Sequence, residues 1–202
     1  MTVTAIRQES PERLRVTLDS GEEIESTLGA VTALRLFVGR TLDEEALAEL
    51  RTESVRALAR EKALTIVARR QMSARELKDK LRQKGVDPET AAWCADWLTE
   101  RGFIDEQAYA AAVVRHYAAK GCGAGRVRAE LARRGIPREL ADEALEAMPE
   151  ADGKLDRLIA AKLRDPNDRD EVRKLSASLY RRGFSAEEIR SALRRYEADF
   201  ED

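Results

Sequence analysis

The stretch SARELKDKLRQKGV, residues 73–86, occurs in three related forms along this chain. Residues 123–136 read GAGRVRAELARRGI, and residues 171–184 read EVRKLSASLYRRGF. Each copy contains two apolar residues one helical turn apart, followed by a basic residue, a glycine and a further apolar residue. The glycines lie 50 and 48 residues apart, a period typical of helical repeat arrays. Because such arrays present an extended surface to another macromolecule, the pattern indicates binding rather than catalysis.

The residues around each copy contain start and stop signals for helices. Ser73 and Glu76 have the spacing of a capping box, in which each side chain accepts a hydrogen bond from the other residue's backbone amide. Gly85 is suited to end that helix, because glycine adopts the left-handed conformation that other residues resist. Asp87 and Pro88 then favour a new helix start. The sequence therefore predicts a mainly α-helical protein, a tandem array of three units with three helices each.

The first 40 residues have a different pattern. Residues 3–6, 14–18 and 24–28 contain roughly alternating apolar side chains, and residues 19–22 (DSGE) are a turn signal. These features predict a small β-hairpin or meander that packs against the first helices. Residues 31–38 are compatible with a further strand or with a short helix.

Helical signals begin at residue 41. Thr41 and Glu44 have capping-box spacing, and no glycine or proline follows as far as Arg70, which fits one long helix or two with a break. Residues 149–153 (PEADG) are the clearest linker, and residues 185–188 form another capping box. We expect the array to be elongated and curved. The expected divisions are a β-rich extension (1–40), a connecting helix with the first three-helix unit (41–104), a second unit (105–149) and a third unit (153–202).

The amino-acid composition limits the partners and the cellular compartment that we expect for this protein. Charged residues make up 37% of the 202 residues, but the formal net charge is only −2, so no overall field favours DNA or a membrane. The charge is uneven, because residues 1–50 carry a net −5 and residues 51–100 a net +3. Cys94, Cys122 and the single histidine, His116, have no metal-binding spacing, which predicts a reducing compartment and no zinc. Because the sequence has no long apolar run, we expect a cytoplasmic protein that does not bind a membrane. We also expect no cofactor.

Basic residues recur at matching positions of the three units. Arg75, Lys78 and Arg82 share one face of the predicted helix that ends before Gly85. These residues, and the lysine or arginine that precedes each repeat glycine, have two interpretations. They contact DNA phosphates or an acidic protein surface, or they complement the dipole at a helix C-terminus, which contributes ~0.3–1 kcal/mol each. The binding candidates are Arg75, Lys78, Arg82, Lys84, Arg126, Arg133, Arg134, Arg173, Lys174, Arg181 and Arg182.

Other conspicuous residues have a simpler structural interpretation. Residues 121–125 (GCGAG) follow a predicted helix and lack the ending of a phosphate-binding loop, so we expect a flexible connection between helices. Trp93 and Trp97 lie one turn apart on an alanine-rich helix, which favours packing in the core over stacking on bases. Asp105 and Glu106 follow a helix stop, where acidic residues favour the next helix start over acid–base chemistry. Without a catalytic triad, metal cluster or cofactor motif, an enzyme is not expected.

The motifs, in their order along the chain, resemble the RecX family, the regulatory proteins of the RecA recombinase. The resemblance rests on residues 73–85, on GFIDEQAYA at residues 102–110 and on residues 123–136, and it extends over roughly residues 55–196. It implies a tandem array of three-helix units that binds in the groove of the RecA–DNA filament and commonly lowers ATP hydrolysis and strand exchange by RecA. The family varies in its N-terminal extension, so the resemblance assigns no role to the β-rich region.

The resemblance predicts a monomeric, non-enzymatic regulator of homologous recombination, DNA repair and the SOS response that binds the RecA–DNA filament and inhibits RecA. The foremost expected contacts are Arg133, Arg134, Arg181 and Arg182. The alternative is a helical-repeat protein that binds single- or double-stranded DNA without RecA, with a salt-sensitive affinity. Binding to naked DNA, compared with binding to RecA-coated DNA at the same salt concentration, distinguishes the two hypotheses.

Overall fold

A computed structural model describes residues 1–148 and 152–201 of the chain. In this part of the chain, three strands precede ten helices, which confirms the predicted fold class. The chain divides into two compact units, Met1–Ile104 and Asp105–Asp202. The elements are β1 (Val3–Gln8), β2 (Arg13–Leu18), β3 (Glu23–Thr27), α1 (Leu28–Ala33), α2 (Glu44–Val67), α3 (Ala74–Gln83), α4 (Pro88–Glu100), α5 (Glu106–Ala119), α6 (Ala124–Arg133), α7 (Arg138–Glu146), α8 (Asp152–Ala160), α9 (Arg169–Arg181) and α10 (Ala186–Glu201).

The three strands form an antiparallel sheet in the order β1–β2–β3. Leu14, Val16 and Leu18 of β2 are buried and alternate with more exposed residues, as expected of a strand with one face on a core. The sheet packs on α2, where the Ser54 hydroxyl donates a hydrogen bond to the Ser26 hydroxyl at 2.8 Å. The predicted meander against the first helices is therefore confirmed.

The start of α2 differs from the prediction. Asp43 is its N-cap and accepts a hydrogen bond from the Ala46 amide at 2.8 Å. Thr41 instead forms an isolated antiparallel bridge with Thr2. The predicted Thr41–Glu44 capping box is wrong, because this long-range pairing holds Thr41 outside the helix. The open alternatives are resolved as well: α2 is one helix of 24 residues, and residues 31–33 belong to the short helix α1.

Three three-helix units follow one another, formed by α2–α4, α5–α7 and α8–α10. The middle helices, α3, α6 and α9, carry the repeated motif and end in the same way. After α3, the Gly85 amide donates to the Arg82 carbonyl and the Val86 amide to the Leu81 carbonyl, both at 3.0 Å. This is the double hydrogen bond of a Schellman motif, which requires a left-handed residue. The φ angles of +80° at Gly85, +75° at Gly135 and +91° at Gly183 confirm the predicted stops.

The other predicted helix starts are also present. Ser73 and Glu76 form a reciprocal capping box at α3, and Ser185 and Glu188 form one at α10. Asp87 caps α4, with Pro88 as its first residue, and Asp105 caps α5. Of the predicted linker, residues 149–151 lie outside the described residues, and α8 begins at Asp152.

Each compact unit contains two clusters of buried apolar side chains. In the first compact unit, one cluster joins the sheet to α1 and the first half of α2, and the other fills the space between α2, α3 and α4. In the second compact unit, one cluster lies within α5–α7 and the other within α8–α10. The second apolar residue of each repeat copy belongs to one of the three helical clusters, since Leu81, Leu131 and Leu179 are all buried.

Candidate functional site

Two of the foremost candidates, Arg133 and Arg134, take part in a polar cluster of the second three-helix unit. Both guanidinium groups donate to the carboxylate of Glu130, at 2.6–3.0 Å from Arg133 and 2.8 Å from Arg134. Arg134 also donates to the hydroxyl of Tyr109 on α5. Glu130 is 7% exposed, and the hydrogen bonds from Arg133, with those from Arg134, lower its pKa to about 2 against the opposing effect of burial. Both arginines therefore stabilise the second three-helix unit through these hydrogen bonds.

We expect Glu130→Gln to lower the free energy of unfolding by about 2 kcal/mol at pH 7, because it weakens hydrogen bonds to a charged acceptor. The pKa of Glu130 is lowered in the folded state, so its contribution is present above the unfolded-state pKa of about 4.5 and disappears as the pH falls toward 2. The difference between wild type and variant should therefore shrink from pH 5 to pH 2 in urea unfolding followed by circular dichroism. Glu146→Gln, on the exposed end of α7, is the control, and a constant difference across this pH range would contradict the assignment.

The remaining candidates fall into two groups. Three of them form ion pairs with neighbouring carboxylates: Lys78 with Asp96 at 3.7 Å, Arg82 with Asp79 at 3.6 Å and Arg173 with Asp170 at 3.0 Å. Exposed pairs of this kind contribute little to stability, so these cations stay accessible to another ligand. The others form no ion pair within the described ranges and are Arg75, Lys84, Arg126, Lys174, Arg181 and Arg182.

The second and third three-helix units meet through their backbones. The Gly123 amide donates to the Arg182 carbonyl at 2.9 Å, and the Gly125 amide donates to the Gly183 carbonyl at 3.0 Å. A Cβ atom at Gly123 would lie 2.4 Å from the Gly183 carbonyl oxygen, so only glycine allows this approach. The glycines at 121–125 thus form a packing surface between the second and third three-helix units. Their interpretation as a flexible connection between helices did not predict this contact.

This close approach forms a groove of about 620 Å³, here called the Tyr180 groove, between the start of α6 and the α9–α10 turn. Arg126 and Arg181, two predicted candidates from different three-helix units, both line it. The Tyr180 ring also lines the groove and is 67% exposed. Guanidinium groups bind carboxylates or phosphates with two parallel hydrogen bonds, and an exposed ring offers a flat face for stacking. The groove can therefore bind an acidic segment of a macromolecule.

The two tryptophans form a half-buried stack in the first compact unit. Trp93 and Trp97 pack against the α2–α4 core, as predicted, with ring centroids 6.5 Å apart. The Arg60 guanidinium lies 5.4 Å from the Trp93 ring centroid, and that of Arg101 lies 4.2 Å from the Trp97 ring centroid. Phe103, 55% exposed, stacks on Trp97 at 6.5 Å. The sequence interpretation missed the contact from Arg60, because Arg60 lies on α2, two helices before α4.

Cys94 and His116 carry side chains that serve as nucleophiles or bases in other proteins, and their environments differ. Burial raises the pKa of the Cys94 thiol to about 11, so this cysteine is a poor nucleophile at neutral pH. His116 is exposed and its ring meets that of Tyr117 edge-on. Across residues 1–148 and 152–201, no group of three histidine, cysteine, aspartate or glutamate residues is arranged to hold a metal ion. No helix among these residues has the length and apolar character needed to cross a bilayer.

Comparison with known proteins identifies matches to each three-helix unit. The models for the first, second and third three-helix domains of RecX match residues 59–98, 105–145 and 155–193. The regulatory protein RecX of Xanthomonas axonopodis pv. citri (strain 306) is 38% identical over 138 residues, which cover 66% of this chain and 85% of the relative. The regulatory protein RecX of Halorhodospira halophila is 36% identical over 141 residues, with coverage of 66% and 84%.

Solved structures show the same fold. A crystal structure of regulatory protein RecX superimposes with a TM-score of 0.76 at 24% identity and covers 93% of this chain and 96% of its own. The crystal structure of RecX from Lactobacillus salivarius gives a TM-score of 0.63 at 20% identity, with coverage of 71% and 97%. At these identities the structures support the fold alone, whereas the sequence matches establish the relationship.

Proposed function

The chain belongs to the RecX family of regulatory proteins, and on this basis we propose that it binds the RecA–DNA filament and inhibits ATP hydrolysis and strand exchange by RecA. The observation that best supports a binding role is the Tyr180 groove. Arg126 and Arg181 were both candidates from the repeat pattern, and they line this one groove from two different three-helix units. An array that contacts neighbouring RecA protomers would resist the rearrangements that accompany ATP turnover, so inhibition requires no catalytic group.

The test is DNA-dependent ATP hydrolysis by RecA on single-stranded DNA, titrated with this protein well below one molecule per RecA. We expect hydrolysis to fall at these ratios, because one array contacts several protomers. At the same salt concentration, the protein should bind RecA-coated DNA more tightly than naked DNA. Unchanged hydrolysis up to equimolar protein would refute the proposal and favour a protein that acts on DNA without RecA.

We expect the double variant Arg126→Glu/Arg181→Glu to need at least a 10-fold higher concentration for half-maximal inhibition. Each guanidinium can donate charge-assisted hydrogen bonds worth about 1.5–3 kcal/mol, and loss of about 1.4 kcal/mol corresponds to a factor of 10. Arg115→Glu/Arg157→Glu is the matched control, because it reverses two exposed arginines of the same compact unit that lie outside the groove. Equal losses of inhibition in the two double variants would exclude the groove as the specific contact.

A further inference from the structure

A strongly basic cleft lies in the first compact unit, between the N-terminal sheet and two helices. It has a volume of about 670 Å³ and is bounded by β2, by the last turns of α2 with the segment after them, and by α3. Among its described lining residues, one carboxylate, Glu61, faces six cations. We call this site the basic cleft. Its six cations are Arg13, Lys62, Arg69, Arg70, Lys80 and Lys84.

Most of this positive charge is not neutralised by the protein. Arg13 pairs with Glu25 and lies 3.9 Å from Glu61, and Arg70 lies 3.4 Å from Glu76. The chain as a whole has 36 basic and 38 acidic residues, so an excess of this size is a local feature. In the part of the chain that the structure describes, four of the six cations form no ion pair: Lys62, Arg69, Lys80 and Lys84.

Helix dipoles explain only part of this arrangement. Lys80 and Lys84 lie at the C-terminal end of α3, where a cation is favourable. Arg13, however, lies on β2, and Lys62 lies within α2 ahead of its last turn, so neither complements a helix C-terminus. A bound anion would meet about −0.5 elementary charge at each of the two helix ends, which the unpaired cations outweigh. The convergence of three elements on one cleft therefore indicates an anionic ligand.

The lining of the cleft shows which anion fits. Ile66 and Met72 are buried at its floor, and Thr65 and Gln83 add neutral hydrogen-bonding groups. Its cations are distributed over β2, α2, the segment after α2, and α3 with its C-cap, which suits a polymer with several negative charges rather than one small ion. None of the described residues that line the cleft is aromatic, so the cleft offers no ring on which a base could stack, and it suits a contact to the phosphate backbone.

We propose that the basic cleft binds the phosphodiester backbone of DNA. Lysines contact phosphates as point charges and arginines as forked donors, so the mixture binds the backbone without reading the sequence. Through Arg13, the N-terminal sheet becomes part of the DNA-binding surface. This contact is separate from the Tyr180 groove and does not depend on the proposed inhibition of RecA.

The experiment measures binding of the full chain to labelled oligonucleotides by fluorescence anisotropy, in a salt series and without RecA. The test variant is Lys62→Gln/Arg69→Gln/Lys80→Gln/Lys84→Gln. The control, Arg115→Gln/Arg157→Gln/Lys162→Gln/Arg169→Gln, removes the same charge from exposed residues of the second compact unit that form no ion pair within the described residues. Circular dichroism confirms that each variant is folded.

We expect the test variant to bind at least 10-fold more weakly at low salt, while the control changes affinity by less than about 3-fold. The slope of log affinity against log salt should become shallower by about 0.7 per lost contact on single strands, or about 0.9 on duplex. The preferred form of DNA is the one that the wild type binds more tightly at the same salt concentration. Equal weakening by both variants would show a general charge effect and overturn the proposal. The proposal would also be overturned if the test variant kept its DNA affinity. If that variant then lost affinity for a polyglutamate peptide, the cleft would bind acidic protein instead.

Discussion

Gly183→Ala should destabilise the second compact unit by about 3–4 kcal/mol. The same change at the equivalent Gly85 should destabilise the first compact unit by only about 1–2 kcal/mol. Both glycines end the repeated helix with a positive φ, +91° and +80°, so both variants incur the penalty of a left-handed alanine, about 1–2 kcal/mol. A Cβ at Gly183 would also lie 2.1 Å from the Arg126 backbone nitrogen, whereas a Cβ at Gly85 has nothing within 4 Å.

The additional cost at Gly183 comes from the contact between three-helix units. Relief of the clash requires the backbones to separate, which breaks the hydrogen bond from the Gly125 amide to the Gly183 carbonyl at 3.0 Å. Overpacking of this kind typically costs about 1–3 kcal/mol in addition to the backbone strain. Urea unfolding followed by circular dichroism measures both variants. Equal destabilisation by the two alanines would mean that the third three-helix unit is not held against the second by this contact.

The helix ends were predictable from sequence because their causes are local. The Ser73–Glu76 capping box and the stop at Gly85 depend on residues within one or two turns, and both are present. The start of α2 was not predictable, because Thr41 pairs with Thr2 at the other end of the N-terminal region. A local capping signal is overridden when a residue distant in sequence pairs with the same position.

The functional surfaces were harder to predict because the repeat makes three environments look equivalent. Arg134 and Arg182 occupy the same repeat position, yet Arg134 binds Tyr109 and Glu130, whereas the Arg182 carbonyl accepts a hydrogen bond from Gly123. These differences arise because different helix faces pack together in each unit. The spacing of residues in the sequence does not specify which faces those are. One feature of the sequence indicated the basic cleft, the net charge of +3 in residues 51–100. The contribution of Arg13 is visible only in the folded structure, because Arg13 is distant from these residues in sequence.

Leu131→Ala should lower the stability of the second compact unit by about 3–4 kcal/mol and leave unfolding of the first unchanged. Leu131 is 0% exposed, and its cluster draws only on helices α5–α7 and the residues next to them. Replacement of a fully buried leucine by alanine costs about 2.7–5 kcal/mol, through lost apolar contact and a residual cavity. Leu81→Ala is the matched variant, because Leu81 is also 0% exposed and occupies the same repeat position in the first compact unit.

The chain provides its own probe for telling the two compact units apart. Both of its 2 tryptophans, Trp93 and Trp97, pack against the α2–α4 core, so their fluorescence reports on the first compact unit, while circular dichroism reports on all helices. In urea unfolding, Leu81→Ala should shift the fluorescence midpoint, and Leu131→Ala should shift only part of the dichroism signal. A fluorescence shift of equal size in both variants would show that the whole chain unfolds as one cooperative body, because loss of one core would then destabilise the other.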